Sequence, residues 1–206
     1  TVSGDNLQIT SAGVLSFISA PDYETKNSYT GTVTASDNST DPVFGARETT
    51  QNITITIINV DEAPVFTSST TFNAEENQTT IGSVSVTDPE NATLSYSLSG
   101  TDASSLAISS SGVLSFGSAP NYESKNSYSA TVTASDGTNS TTQNITISVT
   151  DVNDAPVATA AAYIMNLLPQ SQSSGTLILA GTDEDGDTLT YSIVSNGSYG
   201  TASLSG

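Results

Sequence analysis

Apolar and polar residues alternate with a period of two along much of this chain. Ile53, Ile55 and Ile57 alternate with Thr54 and Thr56, Val84 and Val86 with Ser83 and Ser85, and Val132 and Ala134 with Thr131 and Thr133. Successive side chains of an extended strand point to opposite faces, so each run predicts a strand with one apolar and one hydroxyl-bearing face. Gly, Pro, Asn and Asp punctuate the runs and predict the turns between them. Nothing reads as a long amphipathic helix. Ala158–Leu168 is the one ambiguous stretch, and Pro169 ends it. The expected fold is all-β, with sheets packed face to face as sandwiches.

The pattern also repeats. SAGVLSFISAPDYETKNSYTGTVTASD (11–37) and SSGVLSFGSAPNYESKNSYSATVTASD (110–136) share 21 of 27 positions without a gap. TTQNITITIINVDEAPV (49–65) matches TTQNITISVTDVNDAPV (141–157), and TDPENATLSYSL (87–98) matches TDEDGDTLTYSI (182–193). The offset falls from 99 to 92 between the first two matches, which predicts seven extra residues in a loop near Asp41–Glu48 of the first copy. A unit of this length suits an independent sandwich domain rather than a solenoid turn. Pro fixes an extended backbone, so the Ala-Pro pairs at 63–64 and 155–156 predict boundaries. The expected units are 1–63, 64–155 and 156–206, the middle one complete, the first without its opening strands and the third without its closing ones.

Composition narrows the function. Ser and Thr make up about a third of the chain, as the solvent faces of half-exposed strands require. There are 21 acidic residues against 3 basic, a net charge of −18. Nucleic acid and anionic membrane surfaces would be repelled, and inorganic cations are the natural counter-charge. The sequence holds no Cys and no His, which excludes thiol chemistry and His-based catalysis. Trp is also absent, and nothing resembles a sugar-stacking cleft, so an enzyme is not expected.

The acids cluster in PDYE (21–24), ASD (35–37 and 134–136), NVDEAP (59–64), AEEN (74–77), TDPEN (87–91), NYE (121–123), DVNDAP (151–156) and TDEDGD (182–187). Carboxylates this close repel one another unless a cation sits among them. Calcium suits the set, because it accepts six to eight oxygens in flexible geometry, whereas magnesium wants few carboxylates and several waters. Singly, each Asp is a turn former; the clustering points to metal. TDEDGD is not an EF-hand loop, since its sixth and twelfth positions from Asp183 are Thr188 and Val194. As a plain turn or a junction ligand it stays open, Asp-Gly being itself a hairpin signal. Tyr23 and Tyr122 read as core anchors. Lys26 and Lys125 read as ion-pair partners of nearby acids, with a Lys–Asn crosslink as the alternative. Seven N-x-[ST] sequons, at Asn38, Asn52, Asn77, Asn91, Asn139, Asn144 and Asn196, barely exceed the number expected by chance.

These motifs resemble those of cadherin domains of the bacterial or marine surface-adhesin type, over residues 1–157. The third segment resembles related bacterial sandwich repeats with a DxDGD turn. The resemblance implies tandem Greek-key β-sandwiches, immunoglobulin-like or cadherin-like, with calcium at the junctions. Residue by residue, Glu76 matches the N-terminal Glu of the family, Asp22 and Glu24 its mid-domain pair, and Glu123 the same pair with Asn121 in place of Asp. Asp151, Asn153 and Asp154 match its linker, with Asn59, Asp61 and Glu62 a degenerate version. Asp88 and Glu90 match its downstream pair, and Asp37 and Asp136 its late Asp.

Two junctions are therefore expected. The first draws on Asp22, Glu24, Asn59, Asp61, Glu62, Asp88, Glu90 and Asp136; the second draws on Glu76, Glu123, Asp151, Asn153, Asp154, Asp183 and Asp185. Each is expected one ligand short of the family's set, the first lacking an N-terminal Glu that would precede residue 1 and the second a late Asp that would follow residue 206, so one or two ions per junction are expected. Ser171 stands where the third segment's Glu would align. The function implied is a calcium-rigidified segment of an extracellular, cell-surface adhesin, anchored through parts outside this sequence. Its expected partners are calcium, neighbouring repeats, identical molecules, and cell-surface proteins or glycans. The alternatives are a subunit of an extracellular fibre assembled by strand exchange, and accessory domains of a secreted carbohydrate-active enzyme.

Overall fold

The computed structural model describes residues 1–37, 39–159, 178–195 and 201–204. Ser171, Asn38, Asn196 and all but the first two residues of Ala158–Leu168 lie outside them. In chain order the strands are β1 (Val2–Gly4), β2 (Leu7–Ile9), β3 (Leu15–Phe17), β4 (Ser28–Ser36), β5 (Glu48–Thr56), β6 (Val65–Phe66), β7 (Thr71–Glu75) and β8 (Thr80–Ser83). They continue as β9 (Val86–Thr87), β10 (Ser95–Ser99), β11 (Leu106–Ile108), β12 (Val113–Phe116), β13 (Ser127–Ser135), β14 (Ser140–Thr150), β15 (Val157–Thr159) and β16 (Ala180–Thr182). The one helical element among the described residues is a 3-10 turn at Ala103–Ser105.

Between Pro64 and Asp154 two layers enclose one core. One is the four-stranded sheet β10-β13-β14-β7, in which β7 runs parallel to β14; the other is β11-β12-β8, with the short pair β6-β9 beside it. The alternating run Ser83–Val86 is not one strand. The Val84 amide donates to Gly112 O at 2.9 Å, whereas Ser85 O accepts from Thr67 N at 2.9 Å. The backbone therefore changes neighbour at Val84–Ser85, and β8 and β9 pair with different strands.

Period-two patterning does the packing. Ile145, Ile147 and Val149 of β14 and Ala130, Val132 and Ala134 of β13 point inward, facing Leu114 and Phe116 of β12. Burying an aliphatic side chain fully contributes about 1.5–3 kcal/mol, so this stripe is the main source of stability. The opposite face carries hydroxyls and amides, with cross-strand bonds such as Thr131 Oγ1 to Asn144 Oδ1 at 2.8 Å. The same bond recurs from Thr32 to Asn52, also at 2.8 Å.

The first copy keeps this register. Tyr29 lies opposite Ile55 in β4-β5 as Tyr128 lies opposite Ile147 in β13-β14. The connection between the paired strands is residues 37–47 in the first copy and 136–139 in the second. The seven extra residues are thus absorbed in a loop, where loop closure costs little. Phe17 meets Tyr29 edge-on at 5.0 Å, as Phe116 meets Tyr128 at 5.0 Å. Lys26 pairs with Asp5 at 3.2 Å, and Lys125 pairs with Asp102; each ammonium also lies over the nearby Tyr29 or Tyr128 ring. The simpler reading of the lysines, as ion-pair partners, is the one the structure shows.

Candidate metal centres

The turns that end the strands bring the acids together. In PDYE, Asp22 closes a turn by accepting from Thr25 N at 3.1 Å and Thr25 Oγ1 at 3.0 Å, with Glu24 inside that turn. Glu24, Glu62 and Glu90 then present carboxylate oxygens within 4.8 Å of one another. The Glu62 amide points at Glu90 Oε2 at 3.4 Å, linking the connecting segment to the downstream turn. Asp88 shapes that turn, accepting from Ala92 N at 2.9 Å, with Asn91 in the left-handed region at φ 58°. From the far loop Asp136 binds the amides of Thr138 and Asn139, both at 2.6 Å. Asn139 in turn donates to Asp61 Oδ2 at 2.8 Å. Asp88 Oδ2, Glu90 Oε1 and Asp136 Oδ2 are buried and accept no hydrogen bond. A buried carboxylate oxygen without a donor is costly, and all three residues were expected at the first junction.

The second junction is built alike. Glu76, 2% exposed, follows β7 and accepts from Tyr122 N at 2.7 Å and Val152 N at 2.8 Å. It therefore straps the NYE turn to the linker. Glu76, Glu123 and Asp151 form one group of oxygens within 4.8 Å, and Glu123, Asp154 and Glu184 form another. The Asp154 amide donates to Asp185 Oδ2 at 2.6 Å, the counterpart of the Glu62–Glu90 contact. Asn77 Nδ2 reaches Asp154 Oδ1 at 2.9 Å.

Of the residues expected at the junctions, Glu24, Glu62, Glu90, Glu76, Glu123, Asp151 and Asp154 fall within the carboxylate groups. Asp88, Asp136, Asp61 and Asp185 hold the loops against them. Asp183 serves its own turn, accepting from Asp187 N at 3.2 Å, and Asn153 donates to the carbonyl of Asp154 at 3.0 Å. The turn reading of TDEDGD is seen at Asp183, and Asp185 contacts the linker amide of Asp154. Asn59 is exposed. Sequence reasoning missed Glu184, Asn77 and Asn139. Glu184 carries no signal beyond its place between two aspartates.

The electrostatics match the crowding. Glu24 is raised from the ordinary carboxylate range by lost hydration and by Glu90, Glu62 and Asp22. Asp151 is raised by lost hydration and then by Asp185, Glu76 and Asp154. Glu123 feels a backbone hydrogen bond pulling it down, but lost hydration together with Glu76, Asp151 and Asp185 leaves it raised. Asp22 and Asp102 are lowered, the first by the Thr25 amide and hydroxyl, the second by Lys125 and the Ser129 amide. Neither lysine is spare, and the Arg47 guanidinium stacks on Phe44, so no basic side chain neutralises the clusters. An oxygen-only donor set with buried, donor-free atoms suits a hard divalent cation.

A pH prediction follows for the metal-free protein. Folding holds protons on Glu24, Glu123 and Asp151 above their ordinary range, so these groups favour the fold at acid pH and oppose it as pH rises through that range. Asp22, Asp37 and Asp102 act oppositely, losing their contribution as pH falls below it. The melting temperature in chelator should peak near about pH 4–5 and decline towards neutrality. A steady rise up to neutral pH would contradict this assignment.

Comparison with known proteins gives the fold a family setting. The cadherin domain model matches residues 70–150. No curated protein matches the sequence. The chain is similar to protocadherin gammaB7 EC3-6, solved as a cis-dimer, at 26% identity and TM-score 0.54, covering 89% of this chain and 51% of that one. Mouse cadherin-23 EC22-24 is similar at 25% identity and TM-score 0.52, with 73% of this chain and 52% of that one covered. Human CDH23 EC21-23, at 20% identity and TM-score 0.57, shows the shared fold over 87% of this chain and 66% of its own. The chain spans about half the length of the first two structures. The architecture is that of cadherin β-sandwich repeats, which are structural and adhesive domains.

Proposed function

We propose that this chain, with a cadherin domain over residues 70–150, is a calcium-binding segment of an extracellular cell-surface adhesin. Calcium at the two junctions ties successive repeats at a fixed angle. The observation that carries the reading is the close group of Glu24, Glu62 and Glu90, with buried, donor-free oxygens on Glu90, Asp88 and Asp136 and no lysine engaged there. These acids come from two sides of an Ala-Pro linker, so an ion held by all of them links both sides mechanically. Calcium supplies the positive charge; the protein supplies the oxygens and, through Glu76, the strap that positions Glu123 and Asp151. Because calcium binds the folded chain, it raises stability by mass action. Removing it with chelator should lower the melting temperature and alter the longest dimension in small-angle scattering. Superimposable melts and scattering curves with and without calcium would overturn the proposal. On the same reading the partners are neighbouring repeats and other surface molecules, and the residues bind rather than catalyse.

A further inference from the structure

The insertion in the first copy changes what its loop presents. In the second copy Asp136–Asn139 is a short polar turn. Asp136 Oδ1 accepts from Asn139 N at 2.6 Å, and Asn139 Nδ2 donates to Asp61 Oδ2 of the linker at 2.8 Å. In the first copy the same closure joins the ends of a longer loop. Asp37 Oδ1 accepts from Arg47 N at 2.9 Å, and Asp37 N donates to Arg47 O at 3.1 Å, as Asp136 N donates to Asn139 O at 3.3 Å. Arg47 therefore occupies the place of Asn139. A position that holds a linker carboxylate in one copy carries a guanidinium in the other, and Arg47 pairs with no carboxylate among the described residues.

The inserted residues add an apolar tip. Asp41 Oδ1 accepts from Val43 N at 2.8 Å and Phe44 N at 3.1 Å, and Gly45 N donates to Asp41 O at 2.9 Å. These bonds order the turn while Val43 is 76% and Phe44 69% exposed, and Arg47 lies over the Phe44 ring at 5.6 Å. An ordered tip loses little freedom on docking, and aromatic residues and arginine are enriched in protein interfaces. The surface that fits this tip is apolar and acidic. The linker after β5 is both: Ile58 and Val60 are 84% and 73% exposed, and the exposed acids Asp61 and Glu62 follow them.

We propose that the Val43–Arg47 tip docks on the Ile58–Glu62 linker of a second molecule of this chain. Val43 and Phe44 meet Ile58 and Val60, and Arg47 meets Asp61. The contact between Asn139 and Asp61 within the chain shows that a loop from this place in the fold reaches such a linker. Tip and linker are different surfaces, so the contact is heterologous and runs head to tail. A tip of this size covers less than about 1,200 Å², the range of weak and reversible encounters. The proposal stands apart from the calcium reading.

The test is sedimentation velocity of the whole chain, from about 10 µM to about 500 µM, where weak contacts of this size are populated. The wild-type sedimentation coefficient should rise with concentration, and Phe44→Ser, Ile58→Ser and Arg47→Glu should each remain monomeric. All three side chains are exposed, so the melting temperatures of the variants should match wild type. Mixing Phe44→Ser with Ile58→Ser should restore association and stop it at dimers, because one variant keeps the linker and the other keeps the tip. Wild type that stays monomeric overturns the proposal. Phe44→Ser that associates like wild type does so too, as does a mixture of the two variants that stays monomeric.

Discussion

Replacing Glu76 with alanine should destabilise the 64–155 sandwich by about 2–4 kcal/mol even in chelator, through two unsatisfied amides. The side chain is 2% exposed, and its two oxygens are the acceptors for Tyr122 N and Val152 N. Those amides lie in different segments, one in the turn before β13 and one in the linker after β14. Truncation removes both acceptors at once, from two amides that are part-buried. Glu76→Gln separates the contributions: it retains one acceptor and removes the charge, so it should cost less stability in chelator while still losing calcium affinity. Urea denaturation followed by circular dichroism, with and without calcium, checks both. A loss below about 1 kcal/mol for Glu76→Ala in chelator would show that the strap contributes little.

How far the sequence foretold this arrangement depends on which contacts were local. The core was legible because Ile145, Ile147 and Val149 alternate with Thr and Ser, and alternation alone decides which face is buried. The loop of the first copy was legible because duplication exposes an insertion. The break at Val84–Ser85 was not, since it depends on which neighbour takes each backbone group, and a period-two pattern is blind to that. At the junctions the resemblance picked out acids by motif, and most of them meet. Glu184 escaped because its family position carries no carboxylate; only the second turn's approach to Asn121 brings it in. Asn153 and Asn59 match the motif as well, and Asn153 Nδ2 donates to the carbonyl of Asp154. Asp183 and Asp185 were indistinguishable in sequence, and the left-handed Gly186 turn separates them by directing one inward to cap and the other towards the linker.

The same leucine in the two copies provides the other large effect. Leu114 and Leu15 occupy equivalent positions in GVLSF, yet Leu114 is fully buried whereas Leu15 is half-buried. Leu114 is in the middle strand of β11-β12-β8, while Leu15 is in a sheet that among the described residues is the pair β2-β3. Leu114 is enclosed by members of the same cluster as Val84, Ile147 and Val132, all at 4% exposure or less. Leu114→Ala should therefore cost about 2–5 kcal/mol, from lost burial plus the cavity left in a core that relaxes only partly. Leu15→Ala removes the same atoms from a side chain that already meets solvent, so its cost should stay near about 1 kcal/mol. Calorimetry on the two variants in calcium should show Leu114→Ala lowering the main transition and Leu15→Ala leaving that transition nearly in place. Equal shifts would mean that the two copies share one cooperative core, and that burial in the 64–155 sandwich does not set the stability of the chain.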